Sequence, residues 1–299
     1  MMKILMCSDG SMQARAALRF GGIIAATNQA EVTILGIMER PGDEAPMFES
    51  LKDAQQELKA RGVNAEVAIK AGNPVEEILK KTRETPFDLV IIGAVRRGMR
   101  GPFLMSATAY KLIKAIEPPV LVVIGVRQSL RNILICSGGE RYIDRAVGIS
   151  GRLAKAAGAT ITLLHVMAEP PTIYADLIEL EENSRLLLRS NSDLGRNLRR
   201  EKESLETIGV RCDVRLRHGL VVDEVFKEIR QGDYDLIVTG SSPAGDALRS
   251  YIMGNITREI VNTAERPVLV VRGHETPAGL TQGLKEILSD LGHALSRSK

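Results

Sequence analysis

One stretch, written twice, governs what this chain can fold into. Phe87-Asp88-Leu89-Val90-Ile91-Ile92-Gly93 returns as Tyr234-Asp235-Leu236-Ile237-Val238-Thr239-Gly240, and Pro119-Val120-Leu121-Val122-Val123 returns as Pro267-Val268-Leu269-Val270-Val271. A short run of Leu, Ile and Val bounded by turn residues fits a strand buried on both faces, as parallel sheets require. Two such runs joined by a loop and a helix make a βαβ unit. The loop after the first strand then sits at the carboxyl edge of the sheet, where open α/β folds bind ligands. A repeat of this kind sets the number of domains before length does.

Length agrees, since 299 residues suggest about two domains. The 44% hydrophobic residues suffice for two cores, and 3% aromatics without Trp make those cores aliphatic. Against 40 Lys and Arg stand 37 Asp and Glu, so overall charge offers no support for a nucleic-acid partner. Cys7 and Cys136 occupy equivalent repeat positions, and three Cys do not make a disulfide framework; they read as buried thiols in a reducing compartment. The start, Met1 to Met6, runs directly into an apolar strand without a signal-peptide layout. No apolar run approaches the roughly 18 to 20 residues of a membrane span, so a cytoplasmic protein without membrane partners is expected.

Each half reads β-α-β-α-β-α-β-α-β. In the first, Lys3 to Cys7 opens the sheet, Ser8-Asp9-Gly10-Ser11 turns into a helix with Ser11 as N-cap, and Glu31 to Met38 is the second strand. Helices over Glu49 to Ala60, Pro74 to Thr85 and about Thr108 to Ile116 alternate with an edge strand at Asn64 to Lys70 and the repeated strands. The second half repeats this order from Arg131, with helices over Tyr142 to Ala157 and Asp223 to Arg230. Its main insertion, Leu177 to Leu205, reads as one long helix with Leu180, Leu187 and Leu194 seven apart. Such a helix covers its own domain or the neighbouring one. Gly195 and Asn191 weaken a coiled-coil reading. Residues 274–299 carry their own helical pattern and read as a C-terminal helical tail beyond domains at 1–126 and 127–273.

Ile4-Leu5-Met6-Cys7-Ser8-Asp9-Gly10-Ser11, Thr162-Leu163-Leu164-His165-Val166 and the two Pro-Val-Leu-Val-Val runs, taken together, resemble the universal stress protein family, and the whole chain resembles its tandem two-domain members. The resemblance implies two open five-stranded parallel-sheet domains of three-layer α/β/α, Rossmann-like build, as in adenine nucleotide alpha hydrolases. It implies dimer-like pairing of the two domains, leaves room for a homodimer of chains, and points to a stress-linked binding or signalling role. Many members bind ATP and others do not. In those that do, an Asp after the first strand contacts the nucleoside and backbone at the end of the second strand contacts the adenine. The phosphates lie on a loop of form Gly-x2-Gly-x9-Gly-Ser/Thr, where bare backbone N–H groups and a helix N-terminus face them.

Carried over residue by residue, the first half keeps Asp9, Ile37 at the end of the second strand, and Gly93. Its loop departs from the pattern: Arg96 replaces the second glycine and Ser106-Ala107 replaces the Gly-Ser pair, with Gly98 and Gly101 displaced. Arg96, Arg97 and Arg100 either take over anion binding or are solvated on a decayed loop. Arginine where bare backbone is needed more often blocks than assists. In the second half, Gly138 stands in place of the Asp and Glu140 in place of the Ser; Val166 ends the second strand, and Gly240, Gly254 and Asn255 remain on a loop with Pro243 at the second glycine's place. Losing the carboxylate removes a charged acceptor for a ribose hydroxyl, worth about 1.5–3 kcal/mol. Gly254 before a helix still suits a smaller anion.

The four His are scattered without metal-ligand spacing, and Gly-Lys-Ser/Thr, Gly-x-Ser-x-Gly and Cys-x-x-Cys motifs are absent. His165 reads as a packed, hydrogen-bonded strand residue. Asp9 alone does not make an efficient ATPase. The expectation is therefore a non-enzymatic module with a degenerate ATP or AMP site in the first half, Mg²⁺ accompanying only ATP. The rivals are a slow nucleotide-hydrolysing enzyme, whose turnover would need Mg²⁺ and Asp9, and a ligand-free scaffold that docks partners through the long helix or the tail.

Overall fold

The apolar runs become strands covered on both faces. The computed structural model describes residues 1–39, 44–94, 107–138, 143–167, 184–241 and 256–273. In the first half, strands β1 (Lys3–Ser8), β2 (Glu31–Met38), β3 (Ala65–Ala71), β4 (Leu89–Gly93) and β5 (Val120–Val123) alternate with helices α1 (Met12–Asn28), α2 (Glu44–Ala60), α3 (Pro74–Glu84) and α4 (Ala107–Ala115). In the second, β6 (Asn132–Cys136), β7 (Thr160–Met167), β8 (Cys212–His218), β9 (Leu236–Ser241) and β10 (Val268–Arg272) alternate with α5 (Asp144–Ala157), α6 (Ser184–Arg189), α7 (Asp193–Thr207), α8 (Val221–Gln231) and α9 (256–263).

Each half forms five parallel strands in the order β3-β2-β1-β4-β5 and β8-β7-β6-β9-β10, and the two sets join into one ten-stranded sheet. The join is the antiparallel pair β5–β10. Because the pairing is antiparallel, the carboxyl edges of the two halves face opposite ends of the molecule. Alternate residues of β1 show why the strands are apolar throughout: Ile4 and Met6 pack with α1 and α2, while Leu5 and Cys7 pack with α3 and α4. The first of these cores runs across the join to Ile133, Leu153 and Ile161 of the second half. The edge strand β3 is the least covered, as its sparser apolar content requires.

Local signals act as expected. Ser11 Oγ accepts the Ala14 N–H at 3.1 Å to cap α1, and Asn73 caps α3 ahead of Pro74. The expectation of one long helix over Leu177 to Leu205 is corrected. Residues 168–183 lie outside the described residues, and the remainder breaks at 190–192 into α6 and α7. Ser192 starts a new helix by accepting the Gly195 N–H at 3.0 Å. The corner requires Gly195, since a Cβ there would lie 2.4 Å from the Leu187 carbonyl oxygen. No described helix is long and apolar enough to cross a membrane. The C-terminal pattern at 274–299 lies outside the described residues.

Candidate functional site

In the first half, β1 and β2 stay paired to Ser8 and Gly36 and then diverge, β1 turning into α1 and β2 running on to Met38 beside β3. This divergence opens a cavity of about 450 Å³ walled by Asp9, Gly10, Ile37, Met38 and Glu39 on the strand side. Pro46 and Met47, from the first turn of α2, close the other wall. The Ser8-Asp9-Gly10-Ser11 turn is held by its own side chains: Asp9 Oδ1 accepts the Ser11 N–H at 2.9 Å and Ser8 Oγ accepts the Gly10 N–H at 3.2 Å. Gly10 takes φ +78°, which side chains resist. The Asp9 carboxylate is thus exposed at the cavity mouth but fixed in direction. That arrangement offers a hydrogen-bond acceptor to hydroxyl or amine donors, beside an apolar slot.

The structure brings together Asp9 and Ile37 of the expected residues, and adds Glu39 and Met47, which sequence reasoning missed. Gly93 has a packing role: a Cβ there would lie 2.7 Å from the Gln13 carbonyl carbon and oxygen. The glycine therefore lets the first turn of α1 settle onto the end of β4. Arg96, Arg97, Gly98 and Ser106 lie outside the described residues, as do Gly254 and Asn255 of the second half.

The equivalent edge of the second half is built differently. Gly138 follows Ser137, whose hydroxyl donates to Glu201 Oε2 on α7 at 3.0 Å, and whose carbonyl accepts from His165 Nδ1 at 2.9 Å. His165 is thus the hydrogen-bonded strand residue the sequence suggested. Val166 is half-buried on β7, one residue beyond. Gly240 is the penultimate residue of β9, where its carbonyl lies 3.5 Å from the Thr257 hydroxyl at the start of α9. Glu201 is buried, and its Oε1 has no hydrogen-bond partner among the described residues. Burial pushes its carboxyl up to about 7, against the Ser137 hydrogen bond and the Arg200 charge, with Asp144 adding to the rise. Counting back from the glycines that end the helices, Gly62 and Gly209, Glu201 stands at the position of Ala54, between buried Leu198 and Leu205. A carboxylate on the apolar stripe of the second copy was the readable signal for this contact. Burial likewise pushes the Cys7, Cys136 and Cys212 thiols up to about 12, which leaves them unreactive packing groups.

A model of the universal stress protein family matches residues 1–123 and 129–272. The universal stress protein YxiE of Bacillus subtilis (strain 168) is 26% identical over 150 residues, spanning 40% of this chain and 97% of its own. Among solved structures, a universal stress protein from Archaeoglobus fulgidus DSM 4304 superposes with a TM-score of 0.67 at 18% identity, over 90% of this chain and 98% of that one. A functionally unknown protein from Pseudomonas aeruginosa PAO1 gives 0.65 at 17% identity, over 96% and 97%. These structural likenesses bear on the fold.

Proposed function

The chain belongs to the universal stress protein family, and from that membership we propose a binding module whose adenine-nucleotide site is the cavity at the carboxyl edge of its first half. The two domains are taken as 1–126 and 127–273, with the one site in the first of them. The observation that carries this reading is the Asp9 carboxylate, fixed by the Ser11 N–H at the mouth of a cavity of about 450 Å³. A ribose hydroxyl donating to Asp9 would place the base between Ile37 and Met47, in the slot beyond the last β1–β2 pair. The second half has no carboxylate at Gly138, and the Glu201 carboxylate behind it accepts from the Ser137 hydroxyl.

The experiment is calorimetric titration of the full chain with AMP, ATP and cyclic AMP, with Mg²⁺ added for ATP. One equivalent is expected per chain. Asp9→Ala should weaken binding at least tenfold, the value of a lost hydrogen bond to a charged acceptor. Absence of binding at millimolar nucleotide overturns the reading and leaves partner docking as the function.

A further inference from the structure

Met47 covers the cavity's α2 wall in a way the strands alone do not explain. Its Cε and Sδ lie 3.8 and 4.0 Å from where a Cβ would stand on Gly10, and its Sδ and Cγ lie 3.2 and 3.4 Å from the same point on Gly36. One thioether thus covers two glycines, Gly36 within β2 and Gly10 in the turn beyond β1. Leu51 Cδ1 comes within 2.5 Å of the Gly36 position, so a strand side chain there would displace Leu51. The second copy fills its equivalent space the other way: His165 takes the place of Gly36, its ring bonded to the Ser137 carbonyl, and Leu194 takes the place of Met47.

Filling from the helix rather than the strand changes what the surface can do. A ring fixed to backbone is rigid, whereas an unbranched thioether has three rotatable bonds and a polarizable sulfur that favours contact with aromatic rings. Met47, 4% exposed, lines the same cavity as Asp9, so a ligand that donates to Asp9 lies within reach of the thioether.

We propose that Met47 is a specificity-determining residue, its thioether the surface on which the planar base of the bound nucleotide rests and its rotamer the setting of the cavity's depth. This rests on the nucleotide reading above. The class of ligand it selects is a flat heterocycle carrying a ribose, in preference to a sugar phosphate without a base.

The test titrates the full chain with AMP and with ribose 5-phosphate, for the wild type, Met47→Leu and Met47→Ala. Loss of the sulfur–ring contact should weaken AMP by about two- to tenfold in Met47→Ala, with Met47→Leu between, and leave ribose 5-phosphate unchanged. Equal AMP affinity in all three proteins overturns this proposal alone. A wild type that binds no AMP overturns the nucleotide reading and this proposal with it.

Discussion

Leu121 lies directly opposite Leu269, its own counterpart in the second copy, across the antiparallel β5–β10 pair. Val120 meets Val270 and Val122 meets Val268, so the register is symmetric about the two leucines. Both leucines are buried, within cores that run through both halves. Leu121→Ala and Leu269→Ala should each cost about 2–5 kcal/mol. Hydrogen exchange should show protection falling on both sides of the join for either change. Loss confined to the substituted half would mean that the two halves unfold independently.

The buried Glu201 gives the protein a pH dependence with a definite sign. Its carboxyl rises from 4.5 to about 7 in the folded state, chiefly through burial. Between those values the unfolded chain holds fewer protons than the folded one, so stability falls as pH rises. The stabilisation is fully present below about pH 4.5 and lost once pH has passed about 7, a change of about 3 kcal/mol. Glu201→Gln should flatten this slope and raise stability at pH 8. Urea midpoints measured from pH 4.5 to 8 check it, and an unchanged slope in the variant removes Glu201 as the cause.

A second buried carboxylate works in the opposite direction. Glu228 accepts from Arg215 at 2.6 Å, from Arg217 at 2.6 and 2.9 Å, and from Tyr234 at 2.6 Å. Burial pushes its carboxyl up, but the hydrogen bonds from Tyr234 and Arg217 and the charge of Arg215 outweigh it and hold the group below the ordinary range. Its stabilisation is present above pH 4.5 and is lost as pH falls through the depressed value. Arg217→Ala should cost about 3 kcal/mol at pH 7, since it strips a buried charge of its main partner. Denaturation at pH 7 and at pH 3 should show the deficit shrinking in acid; an equal deficit at both would point to lost packing instead.

The acidic residue that precedes each repeated strand acts far from the ligand edges. Asp235 is buried and accepts the Arg131 N–H at 2.7 Å and the Asn132 N–H at 3.3 Å, clamping the start of β6. Asp88 makes the same clamp on Lys3 N at 2.8 Å, in an exposed setting. Asp235→Ala should therefore cost about 1.5–3 kcal/mol and Asp88→Ala distinctly less. Chemical denaturation of the two variants compares them directly, and equal losses would contradict the role of burial.

The duplication, the alternation of strand and helix, the caps at Ser11 and Asn73 and the placing of Asp9 and Ile37 at a carboxyl edge were all legible in the order of residues. They follow from patterns a few residues long: apolar runs that must be covered, turn residues that stop them, and a βαβ connection with one hand. The join of Leu121 to Leu269, the seating of Gly93 on the first turn of α1, the clasp of Glu201 on Ser137 and the thioether of Met47 over two glycines were decided only by the tertiary structure. Each depends on which surfaces meet across long separations in the chain, and a local pattern carries no record of its distant partner. Sequence alone thus placed the carboxyl edges, while packing determined that the first opens a cavity beside Asp9 and that the second carries the contact of Ser137 with Glu201.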